Sequence, residues 1–202
     1  MSSTGKPRAG RQRDPAVDAA IRSATVSLLV EIGYAQLTID EVARRAGVSR
    51  PTVYRRYATK PDLVHRCVFP DDTSGTDVPS TSDVRADIGA LVGLVVDAIA
   101  RPEAVAALSG LMADTPTNTG ARRRQYGRLE LPARASFARR VGAARDAGQI
   151  TTDVDSDVVM DALVGATFWR AGHSTARSRR RLKADMTAMV AQLLGLAPGE
   201  LP

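Results

Sequence analysis

The most constraining stretch of this 202-residue chain runs from Thr38 to Tyr57, where two short helices are signalled in immediate succession. Thr38 and Glu41 read as a capping box: the Thr hydroxyl takes an amide of the first turn, and the Glu carboxylate reaches back to the Thr38 amide. Val42, Ala43 and Ala46 follow, and Gly47 ends the helix, because glycine takes the left-handed conformation such an end requires. Only Val48 separates Gly47 from Ser49, a second N-cap, and Pro51 suits the first turn of a helix from Arg50 to about Tyr57. Two helices joined this tightly form a helix-turn-helix, whose second helix enters the major groove of DNA. The small residues Ala43 and Gly47 let the pair approach closely.

The flanks complete a small domain. Asp14-Pro15 opens a helix with its apolar stripe at Val17, Ile21, Ala24, Leu28 and Ile32, and Gly33 stops it. Thr59-Lys60-Pro61-Asp62 caps a fourth helix carrying Leu63, Val64, Cys67 and Val68. The second helix of the motif crowds Arg50, Thr52, Tyr54, Arg55 and Arg56 around an apolar anchor of Val53 and Tyr57. Arginine pairs with guanine, the threonine methyl touches thymine, and tyrosine bonds phosphate. Charge agrees with this reading. Residues 1–66 hold 12 of the 28 Lys and Arg but 6 of the 22 Asp and Glu, so the whole net charge of +6 lies in the first third. A basic module on a neutral remainder points to a polyanion.

Other classes lack their signatures. One cysteine, Cys67, excludes an internal disulfide and a multi-Cys metal site, and His65 and His173 have no HExxH-type partner. There is no phosphate-binding Gly loop, no G-x-S-x-G and no histidine-centred triad, so neither catalytic nor metal residues nor a cofactor are expected. No apolar run approaches the roughly 18 residues of a membrane helix, and the polar, basic start carries no secretory h-region. A cytoplasmic protein with no membrane partner is the expectation. Cys67 reads as a small buried hydrophobe.

The stretch from Thr38 through Tyr57, with Lys60-Pro61-Asp62-Leu63 after it, strongly resembles the DNA-binding domain of TetR-family transcriptional regulators. The resemblance rests on T-x-x-E-V-A, the Gly47-Val48-Ser49 turn, Pro51-Thr52-Val53-Tyr54 and a Lys before helix 4, all in order, and covers Asp14 to about Val68. It implies an all-α fold: an N-terminal three-helix helix-turn-helix DNA-binding domain and a larger C-terminal helical domain for effector binding and dimerisation. The corresponding boundaries are a basic arm at 1–13, the DNA-binding domain at 14–68, a linker at 69–82 and the C-terminal domain at 83–197. It further implies that Thr38 holds phosphate, that Arg50, Pro51, Thr52, Tyr54, Arg55 and Arg56 carry the DNA-facing surface of helix 3, and that Lys60 clamps the backbone.

The C-terminal part follows the family in layout. Asp83 caps a helix with Ile88, Leu91, Val92, Val95 and Ile99 inward, and a second runs from Glu103 through Leu108 and Met112. Arg122 to Ala147 reads as helix interrupted at Pro132, and apolar helices follow from Asp157 to Gly172 and from about Ser178 to Leu194. Leu108, Met112, Tyr126, Phe137, Phe168 and Trp169 are candidates for an effector pocket, though residues at helical spacing also build plain core. Val159, Leu163, Ala166, Met186, Met189 and Leu193 are candidates for a dimeric four-helix bundle, as the resemblance implies. The expected function is a homodimeric transcriptional repressor on a near-palindromic double-stranded DNA operator, released by an unknown small-molecule effector. The alternative is a DNA-associated or protein-interaction factor of the same fold with no specific operator or effector.

Overall fold

The computed structural model describes residues 14–69, 81–114, 132–173 and 179–196. Among them all regular structure is helical: α1 (Pro15–Gln36), α2 (Ile39–Arg45), α3 (Arg50–Tyr54), α4 (Lys60–Val68), α5 (Val84–Ile99), α6 (Pro102–Ala113), α7 (Pro132–Asp146), α8 (Ser156–His173) and α9 (Arg179–Leu193). The helix starts are set by local chemistry. Asp14, Thr38, Thr59 and Asp83 each accept an amide of the following first turn, a contribution of about 1 kcal/mol per cap. At α4 Asp62 adds a second bond, accepting from the amide of Ala58, the residue before the cap.

Two readings of the caps change. The Glu41 carboxylate pairs with Arg44 on its own helix instead of reaching back to the Thr38 amide, because a guanidinium one turn on is the stronger donor. Ser49 occupies the N-cap position of α3, but its hydroxyl bonds the Thr52 hydroxyl at 2.8 Å and not a backbone amide. Regular helix in α3 ends at Tyr54, and Arg55 to Tyr57 continue as a hydrogen-bonded turn.

Two buried clusters organise the chain. The first gathers Ile21, Leu28 and Leu29 of α1, Val42 of α2, Val53 of α3, Leu63 and Val64 of α4, and also Ala104, Ala107 and Leu111 of α6. The second joins α5, α7, α8 and α9 through Ile88, Val92, Val95, Phe137, Met160, Leu163 and Val190. Between α5 and α7 lies a buried ion pair. Arg140 Nε donates to Asp87 at 2.7 Å, and the Thr81 amide and hydroxyl donate to the same carboxylate at 2.8 and 2.7 Å. Burial opposes ionisation of Asp87, but these bonds outweigh it and hold its carboxyl below the usual carboxylate range.

The segment from Arg122 to Leu131, with Tyr126, lies outside the described residues, as does the basic arm 1–13. No described helix is long and apolar enough to cross a membrane.

Candidate nucleic-acid interface

The turn between α2 and α3 is closed by a Schellman arrangement. Gly47 adopts φ 67°, its amide donates to Arg44 O, and the Val48 amide donates to Ala43 O. These bonds satisfy carbonyls that the helix end would leave bare. The turn fixes α3 against α2, and α3 is then held from below by Val53, fully buried, and by Tyr57, 7% exposed. A five-residue helix cannot stand alone, so this anchorage is what gives its outer face a defined direction.

On that outer face Arg50, Pro51, Tyr54 and Arg55 are exposed and Thr52 is half-buried. Tyr54 is 49% exposed, although most large hydrophobic residues of this half are buried. Ser49, Thr52 and Arg55 form a short chain of side-chain bonds, with Arg55 donating to the Thr52 hydroxyl at 3.2 Å. Arg50 pairs with Asp40 of α2 at 2.5 Å, with both side chains more than half exposed. Such surface pairs contribute about 0–1 kcal/mol, so exchanging the partner for a phosphate costs little. Thr38 is exposed at the start of α2, next to this face, but its hydroxyl already accepts from the Glu41 amide.

Two of the expected contacts sit elsewhere. Arg56 turns back to α1, where its Nε donates to Asp18 at 2.5 Å and its Nη1 to the Thr52 carbonyl, and its side chain is 14% exposed. Lys60 donates to the Ala35 carbonyl at 3.3 Å and lies 4.2 Å above the Tyr34 ring. Its ammonium therefore ties the start of α4 to the end of α1.

Tyr34 links the two halves. Helix α1 kinks at Gly33, where φ is 74° and ψ 171°, and Tyr34 just after the kink packs on α6. There its ring lies over Gly110, its hydroxyl donates to Asp114 at 2.6 Å, and Lys60 covers its other side. Burial and the Asp114 carboxylate both raise the pKa of this phenol. Arg101, just before α6, donates to Val68 O at the end of α4. Tyr34 and Arg101 thus join α6 to α1 and α4.

Of the candidate pocket residues, Tyr126 lies outside the described residues, and the other five differ in exposure. Phe137 is core, Leu108 and Phe168 are half-buried against that core, and Met112 and Trp169 are 55% and 67% exposed. The candidate bundle residues also divide. Val159, Leu163 and Met186 are buried inside the protomer, Ala166 and Met189 are half-buried beside them, and Leu193 is 38% exposed. The outward stripe of α8 is one position away: Val158, Ala162, Gly165 and Trp169, with Val158 59% exposed. His173 stacks on Trp169 at 4.6 Å at its end. Cys67 is buried, and burial raises its thiol pKa against the opposing hydrogen bonds of Thr25 and Tyr57.

Sequence reasoning passed over Arg22 and Arg66. Both line a cleft of about 370 Å³ with Asp18, Ala19, Arg56 and Tyr57.

Comparison with known proteins agrees with this architecture. Residues 21–67 match the family model for bacterial regulatory proteins of the tetR family, and residues 78–190 match that for the tetracyclin repressor-like C-terminal domain. The HTH-type transcriptional regulator YdeS of Bacillus subtilis is 35% identical over 79 residues, a match covering 39% of this chain and 40% of that protein. The solved TetR family transcription regulator SCO0332 is 33% identical, with a TM-score of 0.60 and coverage of 90% of this chain and 99% of that one. The fatty acid degradation regulator FadR from Bacillus halodurans shares the fold, with a TM-score of 0.71 at 18% identity, covering 94% of this chain and all of that one.

Proposed function

The chain belongs to the TetR family and is a DNA-binding transcriptional regulator; on that premise we propose that it acts as a homodimeric repressor of a near-palindromic operator, released by a small molecule. The observation that carries the reading is the anchored, outward α3, with Tyr54, Arg50 and Arg55 exposed above a buried Val53. Two such helices, brought about 34–36 Å apart by a two-fold axis, enter successive major grooves.

Dimerisation is proposed on the outward stripe of α8, where Val158 and Trp169 are large apolar side chains exposed in the protomer. Leu193 and the exposed Ala188 of α9 extend this surface. Small residues at Ala162 and Gly165 allow close approach of a second helix. The buried residues Val159, Leu163 and Met186 serve this bundle only from within, by holding α8 and α9 in place.

The effector is proposed to act in the C-terminal half, near α6 and α8. Among the described residues the Thr167 hydroxyl is fully buried and lacks a hydrogen-bond partner, a cost of about 1–3 kcal/mol that an acceptor on a ligand would recover. A ligand favouring a displaced α6 would shift α1 and α4 through Tyr34 and Arg101, and release requires only that it bind the displaced form more tightly.

The test is a binding assay on the DNA upstream of the protein's own gene, using wild type and Tyr54→Ala. Wild type should shift the fragment and lose affinity steeply with salt, and the variant should bind at least about tenfold more weakly. Equal binding by both proteins would refute the α3 assignment.

A further inference from the structure

The cleft behind α3 is chemically unbalanced. Asp18 and Arg22 of α1, Arg56 and Tyr57 of the turn after α3, and Arg66 of α4 surround it. Three guanidinium groups thus line a cleft whose lining holds one carboxylate, with that of Asp62 at its edge. Each guanidinium offers five N–H donors, and few of them are spent. Arg56 gives Nε to Asp18 and Nη1 to the Thr52 carbonyl, while Arg66 gives Nη1 to the Arg56 carbonyl at 2.8 Å. Arg66 also lies 4.9 Å above the Tyr57 ring, which fixes its plane, and stands 3.9 Å from Asp62 at the cleft's edge. Arg22 makes no hydrogen bond or ion pair among the described residues.

A latch between α1 and α3 would need one arginine and one aspartate. Here two further cations are turned to the same concavity, and the space of about 370 Å³ is left open between them. Ligand pockets begin at roughly 300 Å³. Arginines that converge with spare, planar N–H pairs match an anion with several oxygens better than a single carboxylate.

We infer that this cleft is a phosphate site: Arg22, Arg56 and Arg66 together receive one phosphoryl group, for which Asp18 is the internal competitor. Two sources carry that group, the backbone of bound DNA and a small phosphorylated molecule. The first rests on the DNA-binding reading above and adds a contact behind the outer face of α3. Arg56 lines the cleft and is the chain neighbour of the exposed Arg55, which sets the cleft beside the face that this source would occupy.

Full-length protein is titrated calorimetrically with inorganic phosphate, against chloride at matched ionic strength, as wild type, Arg22→Gln and Asp18→Asn. Arg22 is exposed, so its replacement is expected to change stability by no more than about 0.5 kcal/mol. Phosphate should bind wild type in preference to chloride. Arg22→Gln should weaken it about tenfold, the worth of one charge-assisted bond, and Asp18→Asn should tighten it several-fold by removing the competitor. In parallel, binding to a short mixed-sequence duplex is followed against salt, where loss of one phosphate contact lowers the log–log slope by about 0.9. A lower slope for Arg22→Gln identifies the DNA backbone as the source. Phosphate binding with an unchanged slope identifies a free phosphorylated molecule. If phosphate behaves as chloride does in all three proteins and the slope does not change, the inference is overturned. If wild type ignores every duplex, the DNA-binding reading fails, and the phosphate titration alone decides the cleft.

Discussion

Replacing Gly110 by alanine is a direct probe of the link between the two halves. A Cβ built at this position falls 1.9 Å from Tyr34 Cγ, 2.1 Å from Cδ1 and 2.5 Å from Cβ, far inside the ~3.5–4.0 Å of carbon–carbon contact. Cβ and Cγ lie on the axis about which the ring turns, so spinning the ring clears neither of them. Either α6 backs away from α1, or Tyr34 leaves its rotamer and gives up the 2.6 Å bond to Asp114. Overpacking costs about 1–3 kcal/mol, and losing a hydrogen bond to a charged group about 1.5–3 kcal/mol. Alanine returns about 0.5–1 kcal/mol as the better helix former. On the second route both costs apply, so the net loss is about 2–5 kcal/mol, and at roughly 2–4 °C per kcal/mol the Tm falls by about 4–20 °C. The decisive assay is a double-mutant cycle by denaturant unfolding with Tyr34→Ala. In that background Gly110→Ala should cost at least about 1 kcal/mol less, because two of the three close atoms are gone. Additivity within about 0.5 kcal/mol, or a Gly110→Ala protein more stable than wild type, would refute the reasoning.

Two further perturbations follow from the described contacts. Asp87→Ala strands the buried Arg140 and should destabilise the protein by about 3–5 kcal/mol, read by urea unfolding; a loss below about 1 kcal/mol would count against the pair. Asp87 has its pKa lowered in the folded state, so its contribution is present above the unfolded carboxylate value of about 3.9 and is lost as the pH falls through the folded one. The gap between wild type and variant should accordingly narrow in acid. Trp169→Glu puts a charge on the outward stripe of α8 and should convert a dimer to a monomer by light scattering, with the helical circular dichroism unchanged; a dimer that survives it would move the interface elsewhere.

What the sequence announced, and what it withheld, separate by range. Caps at Asp14, Thr38, Thr59 and Asp83 and the turn at Gly47 are legible because each is decided by atoms within a few residues. The partner of Arg56 is not legible. Asp18 lies 38 positions earlier, and a basic residue at the end of a recognition helix looks the same whether it faces DNA or its own domain. The same holds for Arg140 and Asp87, 53 positions apart. On α8 the difficulty is rotational. Val158 and Val159 are equally apolar letters, yet one is 59% exposed and the other fully buried. Apolar residues at successive positions of a helix do not show which of them faces the core. Tyr34 over Gly110 joins residues that no local rule connects, and only the kink at Gly33 hints that the chain turns there.

The presence of Ala104, Ala107 and Leu111 among the side chains that α1 and α4 enclose has a practical corollary for protein engineering. A fragment trimmed after Val68 would bare the underside of its own reading head and would be expected to aggregate. Chimaeras that graft a foreign C-terminal domain onto this DNA-binding half must be spliced beyond Ala113, so that the recipient keeps α6 as its floor.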